Sequence, residues 1–212
     1  MADLSYVAQL VRAKIRGPSE PAIRLAIIES ARQFCTESWF VRRTVIADLV
    51  PDTETYQLLL DGSTDLEIIG VRAADVQALD GGEIRPLVDE DFSGVEPGRT
   101  ARQPTVYQFV PYGFIAVRPV PTEAGLMRVE VACTVADDAQ TLPDDLITEY
   151  ARALSQGALA ALQTQAGTDW FNPNMAASNQ AMYSAAVTNA KGRSLRNFNR
   201  RNLRARPARF IV

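Results

Sequence analysis

Apolar residues recur at helical spacing at both ends of the chain. Residues 4–15 predict a first helix that ends before Gly17-Pro18. A second helix is predicted from residue 20 to about residue 39, with Ser19 as its side-chain cap. Residues 141–162 predict a third helix with Thr141 as its cap, and Asn172-Pro173 starts a fourth that ends at about residue 190.

From residue 41 onward the apolar period changes to two, which is typical of strands. Between six and eight short strands are expected, and Asp80-Gly81-Gly82 and Tyr112-Gly113 mark tight turns between neighbouring ones. The polar stretch 89–103 is expected to be a loop or a single helical turn. The expected strands are at 44–49, 56–60, 67–74, 76–79, 83–87, 105–109, 114–118 and 127–136.

This order of elements predicts an α+β fold rather than an alternating α/β fold. Residues 1–40 and 141–190 are expected to form a four-helix bundle, and residues 41–140 an antiparallel β-sheet or small barrel inserted between helices 2 and 3. Small residues around Gly157 predict that the third helix lies at the centre of the bundle. Residues 191–212 form an extended basic C-terminal tail in this scheme.

The composition is that of a folded protein. Of 212 residues, 47% are apolar and 22% are charged, and a chain of this length buries about 70% of its surface on folding, so neither a disulfide nor a metal is needed for stability. No run approaches the roughly 20 apolar residues of a membrane span, so no membrane association is expected. The N-terminus lacks a basic-then-apolar leader, and a secretory signal is therefore not expected.

The absence of histidine removes most catalytic chemistry. Without it there is no Ser-His-Asp or Cys-His nucleophile and no imidazole metal ligand. Cys35 and Cys133 lie in apolar patterns and are expected to be buried, reduced and structural. Acidic clusters occur at Asp89-Glu90-Asp91, Asp137-Asp138 and Asp144-Asp145, where turns and helix starts explain them, and no phosphate-binding loop is present. We therefore expect no enzyme, no cofactor, and no catalytic or metal site.

Charge is distributed very unevenly along the chain. Residues 191–212 contain eight basic residues and no acid, whereas residues 1–190 contain 14 basic and 25 acidic residues, a net charge of −11. Apolar residues are interleaved with the arginines, and the chain ends Phe210-Ile211-Val212. The candidate binding residues of this tail are Arg193, Arg196, Phe198, Arg200, Arg201, Leu203, Arg204, Arg206, Arg209, Phe210, Ile211 and Val212.

Three interpretations of this tail are open. It could dock on a protein, since arginine forms bidentate pairs with carboxylates and the apolar end has no reason to stay in water. It could instead be a basic arm that binds nucleic acid, or a solvated terminus without a partner. Protein docking is favoured, and we expect that deleting residues 191–212 leaves the body folded but abolishes that docking.

Several short segments resemble a known family when taken in order. They are FCTESW (34–39), YQL (56–58), PTVY (104–107), IAVRPVP (115–121), LPD (142–144) with Tyr150, GAL (157–159) and WFNP (170–173). Together they resemble the phage head-to-tail adaptor, or connector, proteins of the tail tubular protein A type. The resemblance covers about residues 20–193, and the first 16 residues match less clearly.

The resemblance implies a structural protein of the virion neck, made in the host cytoplasm, with no catalytic residues. Such a protein forms a homo-oligomeric ring of about twelve subunits below the portal protein. The C-terminal segment would anchor on the portal, a tail or nozzle protein would bind on the other side, and DNA would pass through an acidic lumen without specific binding. A stopper one level lower in the neck and a nucleic-acid-binding protein with a basic arm are the alternatives.

Overall fold

Four helices lie at the two ends of the described chain. The computed structural model describes residues 2–60, 65–79, 81–92 and 98–196. Within them α1 is Ser5–Arg12, α2 is Glu20–Ser38, α3 is Asp144–Gln163 and α4 is Pro173–Leu195. Helix α3 packs against each of the other three, and α2 also contacts α1 and α4. The third helix thus contacts all the other helices of the described residues, whereas the four-helix bundle arrangement itself stays a prediction.

Two four-stranded sheets fill the region between α2 and α3. One has the order β2-β11-β4-β5 and is antiparallel throughout, and the other has the order β3-β9-β8-β6. In chain order the strands are β1 (Ala2–Asp3), β2 (Arg42–Leu49), β3 (Thr55–Gln57), β4 (Leu66–Ala78), β5 (Arg85–Pro86), β6 (Val88–Asp89), β7 (Thr100–Ala101), β8 (Val106–Val110), β9 (Phe114–Arg118), β10 (Val120–Pro121), β11 (Gly125–Val135) and β12 (Thr141–Leu142).

The helices and the first sheet share one hydrophobic core. Helix α2 lies on β11, whose inward residues are fully buried. An aromatic group joins three helices at this level: the Phe34 ring of α2 lies 4.7 Å from that of Tyr150 in α3 and 6.4 Å from that of Tyr183 in α4. Since edge and tilted aromatic pairs add to the energy of burial, this group fixes how the helices sit on one another.

The α+β class is confirmed, whereas the barrel alternative is wrong for the described residues, because their strands form two separate four-stranded sheets and two two-stranded pairs. The strands expected at 67–74 and 76–79 are one strand, β4, which pairs along its length with β11 across two register shifts. The predicted reversal after β4 is confirmed by the antiparallel pairing of β4 with β5. Two short pairs, β6 with β8 and β7 with β10, are parallel and were not predicted.

The predicted helix starts had mixed success. The Asn172 side chain accepts a hydrogen bond from the Met175 amide at 3.1 Å, which confirms the cap of α4. Ser19 holds the cap position of α2, but its side chain makes no capping bond. Thr141 caps no helix, because it lies in β12 and bonds through its hydroxyl to Asp65, and α3 begins three residues later. Its local sequence resembles a cap, but a partner 76 residues away binds it instead.

Candidate partner-binding site at the end of helix α4

The predicted binding residues divide at the end of α4. Arg193 lies in the last turn of the helix, and Arg196 follows it directly. The other ten lie outside the described residues: Phe198, Arg200, Arg201, Leu203, Arg204, Arg206, Arg209, Phe210, Ile211 and Val212. The extended tail therefore does not begin at residue 191 as expected, since the chain is helical through Leu195.

Helix α4 continues past residue 190 because its buried stripe continues. Val187, Ala190 and Ser194 are buried at intervals of three and four residues, which is the spacing of one helical face. Sequence reasoning ended the helix at the last apolar member of this stripe. Ser194 extends it with a polar side chain that is 1% exposed, so its burial requires hydrogen-bond partners.

Those partners come from strand β2 and from the end of α2. The Arg42 guanidinium donates to the Ser194 carbonyl at 2.5 Å and to its hydroxyl at 2.7 Å. The hydroxyl in turn donates to the Trp39 carbonyl at 2.9 Å. A cation at the last carbonyls of a helix satisfies an otherwise unpaired acceptor and complements the helix dipole. The end of α4 is thus fixed to the sheet.

A second arginine and one carboxylate complete this anchor. Arg72 lies 3.4 Å from the Ser194 hydroxyl, and Glu130 accepts from Arg42 at 3.1 Å and lies 3.9 Å from Arg72. Burial lowers the pKa of Arg42, with a smaller contribution from the charge of Arg72, and Glu130 opposes both. Arginine stays protonated even so. We call Arg42, Arg72, Glu130 and Ser194 the α4 anchor.

Arg193 is held by its own subunit. Its guanidinium donates to the Glu149 carboxylate at 2.5 Å and to the Tyr150 hydroxyl at 2.9 Å, both on α3. The hydrogen bond that Arg193 donates to Glu149 raises the pKa of Arg193. Because both charged side chains are partly exposed, the pair contributes at most about 1 kcal/mol to stability. Arg193 therefore belongs structurally to the helical body, and a portal contact for it remains a prediction.

An open groove of about 560 Å³ lies beside the α4 anchor, between the ends of α2 and α4. Trp39 and Leu195 line it and are 37% and 71% exposed, and Val187 lies at its base. Trp39 ends α2 in the left-handed region, at φ 51°, and its ring lies over Gly70, where a Cβ would come within 2.9 Å of the ring. Glu37, Arg72 and Lys191 also line the groove, so it can accept an apolar side chain flanked by charged groups next to the end of α4.

The described residues offer little support for a disulfide, a reactive thiol or a metal site. Cys35 and Cys133 are buried and form no disulfide there, and burial raises the pKa of the Cys133 thiol to about 11 and that of Cys35 further, so both stay protonated. The same residues contain no cluster of three or more potential metal ligands. No helix in this part of the chain is both long enough and apolar enough to cross a membrane.

Comparison with known proteins points to one family. No curated protein matches the sequence. The family model described as SU10 adaptor protein matches residues 6–209, which is nearly the whole chain and includes the tail as far as Arg209. This confirms the resemblance to phage adaptor proteins, a family of structural virion components that associate with the portal and the tail. The chain therefore belongs to the SU10 adaptor protein family of phage adaptors.

Proposed function

We propose that this phage adaptor forms a ring of about twelve subunits below the portal, joins the capsid to the tail and lets DNA pass through its centre. In this proposal the helical bundles lie side by side in the ring. The tail segment binds the portal, and a tail or nozzle protein binds on the opposite side. The neck is accordingly its place in the virion.

The anchored end of α4 is the observation that carries this proposal. Arg42 binds the Ser194 carbonyl, so the last turn of α4 is held at a fixed point beside the first sheet. After Arg196 there are 16 residues, with five arginines and no acid. Fully extended they would span about 55 Å, enough to reach well beyond the body. A fixed point followed by a long cationic segment is the arrangement that a tether requires.

The chemistry of this segment favours a protein partner. All five of its cations are arginines, which pair with carboxylates through two parallel hydrogen bonds. Its last three residues, Phe210, Ile211 and Val212, are apolar and suit a desolvated pocket. We infer that the portal offers carboxylates along the segment and an apolar site for its end.

The remainder of the chain has the charge that a DNA conduit needs. Residues 1–196 contain 17 basic and 25 acidic residues, a net charge of −8. A negatively charged wall has little affinity for a polyanion, so DNA can slide past without being held.

Portal binding of truncated and substituted chains tests the proposal. Deleting residues 197–212 leaves the α4 anchor intact and is expected to abolish binding to portal rings. Replacing the five arginines of that segment by glutamine should weaken binding at least tenfold, whereas lysine should retain part of it, because it keeps the charge but loses the bidentate geometry. Undiminished binding by the truncated chain would contradict the proposal.

A filter-binding titration with duplex DNA separates the nucleic-acid alternative. If the segment were a DNA-binding arm, affinity would fall steeply with salt and this dependence would disappear with the deletion. The adaptor proposal predicts weak DNA binding that the deletion leaves unchanged.

A further inference from the structure

From residue 173 to residue 190 the outer face of α4 is exposed and carries no charge. From residue 170 to residue 190 the chain contains no Asp, Glu, Lys or Arg. At 22% charged residues a segment of 21 would hold about five, close to the share on ordinary protein surfaces. Burial within the subunit does not explain this absence, since the buried positions of α4 are Ala176, Asn179, Tyr183, Val187, Ala190 and Ser194 and most of the others are exposed.

Neighbouring helices do carry charges where they meet solvent. Glu29 and Glu37 are exposed on α2, and Glu149 and Arg152 are exposed on α3. The difference is therefore specific to α4, although the three helices pack against one another. Protein interfaces differ from the rest of the surface in this way, because their centres lack charge.

Exposed apolar side chains on and just before α4 also indicate an interface. Met175 and Met182 on α4 are 49% and 53% exposed, and Phe171 just before the helix is 46% exposed. Methionine is enriched at interfaces and adapts to irregular surfaces. Patches of this kind on a protein surface mark contact sites.

A shallow valley continues the uncharged face toward α2. It has a volume of about 440 Å³ and runs between α2, α3 and α4, with Gly157, Ala161 and Ala177 among its lining residues. Gln33 and Gln180 border it, and Glu29 on its α2 side is the only charged residue among the described residues that line it. Small side chains in the valley let a helix from another molecule come close. Because Ala177 and Gln180 of α4 also line the valley, the valley and the outer face of α4 form one continuous surface.

The size of this surface fits a subunit contact. Residues 173–190 span about 27 Å along the helix axis, and half of the helix circumference is about 17 Å, which gives about 450 Å². A stable interface buries about 800 Å² on each partner. The valley supplies part of the difference, and the rest falls on the surfaces that flank the helix.

The missing charges also decide what can cover the surface. DNA needs cations, which α4 lacks over residues 170–190, and an arginine-rich segment needs carboxylates, which are equally absent. A charged partner surface would be buried on the α4 face without counterions. An uncharged partner surface fits this face, and the same chain offers one at the β8–β9 turn, where Pro111 and Tyr112 are exposed and uncharged and Tyr112 is 94% exposed.

We infer that the uncharged outer face of α4, with the adjoining valley, packs against a second copy of this chain. The inference rests on the proposed ring, and it assigns one side of the contact between neighbouring subunits. A cyclic contact joins two different surfaces, so each subunit uses its α4 face toward one neighbour and another surface toward the other.

Paired substitutions at the centre of the α4 face test the inference. Ala181 and Ala185 are exposed, and glutamate and glutamine have nearly the same size and helix propensity. The full chain with A181E/A185E is compared with A181Q/A185Q and wild type. Thermal unfolding checks that each folds, and sedimentation velocity and electron microscopy with portal rings measure assembly. We expect the glutamate pair to need at least tenfold more protein to form rings than the glutamine pair.

The outcomes separate this inference from the proposed function. Rings formed equally well by wild type and by both variants would overturn the α4 contact and leave the adaptor proposal intact. A wild-type chain that binds portal without forming a ring, or fails to bind, would overturn the proposed function itself. If the glutamate pair fails to fold, Ser178→Asp against Ser178→Asn gives the same comparison at one exposed position.

Discussion

Helices α3 and α4 pack against each other but use their surfaces in opposite ways. Twelve of the 20 residues of α3 are buried, compared with six of the 23 residues of α4. α3 contacts every other helix of the described residues, so most of its residues are buried within the subunit. α4 buries one narrow stripe and presents the rest. α3 therefore mainly stabilises the fold, whereas most of the surface of α4 is available for contacts with other molecules.

The largest expected effect is on core packing. Leu154 of α3 is fully buried and Met182 of α4 is 53% exposed. Leu154→Ala should lower the free energy of unfolding by about 2–5 kcal/mol, because it removes buried methyl groups and leaves a cavity. Met182→Ala should change it by less than about 0.5 kcal/mol. Urea unfolding of both variants measures the difference, and equal effects would contradict the contrast between the helices.

The α4 anchor is the exception to the exposed character of α4. Ser194→Ala removes the side-chain acceptor of Arg42 and the donor to the Trp39 carbonyl, so we expect a loss of about 1–3 kcal/mol. Ser178→Ala, at an exposed site on the same helix, is the matched control and should have almost no effect. If the two variants unfolded at the same denaturant concentration, the anchor would be energetically unimportant.

Because Ser194 belongs to the α4 anchor, the expected effect of truncation on stability also changes. Deletion from residue 191 removes Arg193 and Ser194 as well as the tail, so it should destabilise the body, contrary to the sequence-based expectation. Deletion from residue 197 should not. Thermal unfolding of the two truncated chains shows whether the stable body ends at residue 196 or at residue 190.

Replacing one glycine in each of the two helices by alanine should change the free energy of unfolding by about 1 kcal/mol. A Cβ on Gly157 of α3 would lie 2.8 Å from the Ser30 hydroxyl and 2.9 Å from the Tyr183 ring, whereas a Cβ on Gly192 of α4 would meet nothing within 4 Å. Both gain about 1 kcal/mol of helix propensity as alanine. Gly192→Ala should therefore stabilise the protein, and Gly157→Ala should destabilise it, since buried neighbours must move. The same sign for both would contradict the packing described.

The smallest expected effect concerns how each helix begins. The hydrogen bond from Thr141, just before α3, lowers the pKa of Asp65, so the stabilisation is present at neutral pH and is lost as pH falls below about 4. Asp65→Asn should cost less than about 1 kcal/mol at pH 7 and progressively less at lower pH, because the site is partly exposed. Asn172→Ala, at the start of α4, should cost about 1 kcal/mol at both pH values, since the amide does not titrate. Urea unfolding at pH 7 and pH 3 checks both variants.

Local patterns in the sequence predicted the order of the elements well. Helical spacing located all four helices of the described chain, and Asn172-Pro173 marked the start of α4 correctly because its cap is made within three residues. Gly157 indicated the central helix, since only a small residue fits between two neighbours. These features depend on nearby residues or on residue size, both of which the sequence displays directly.

Long-range contacts account for what was missed. The Arg42–Ser194 contact joins residues 152 positions apart, and nothing local marks either one as a partner. Two strands were expected at 67–74 and 76–79, yet they form the single strand β4 because β11 pairs along its length. The two parallel pairs, β6–β8 and β7–β10, are only two residues long and have no pattern of their own.

The central claim is that residues 197–212 tether the subunit to the portal while the acidic body forms the ring. Electron microscopy of portal rings mixed with the full chain tests it most directly. The account predicts a closed ring below the portal, with density for these residues lying on portal subunits. A chain that stays monomeric on the portal, or a segment that folds back onto its own subunit in the assembled particle, would contradict it.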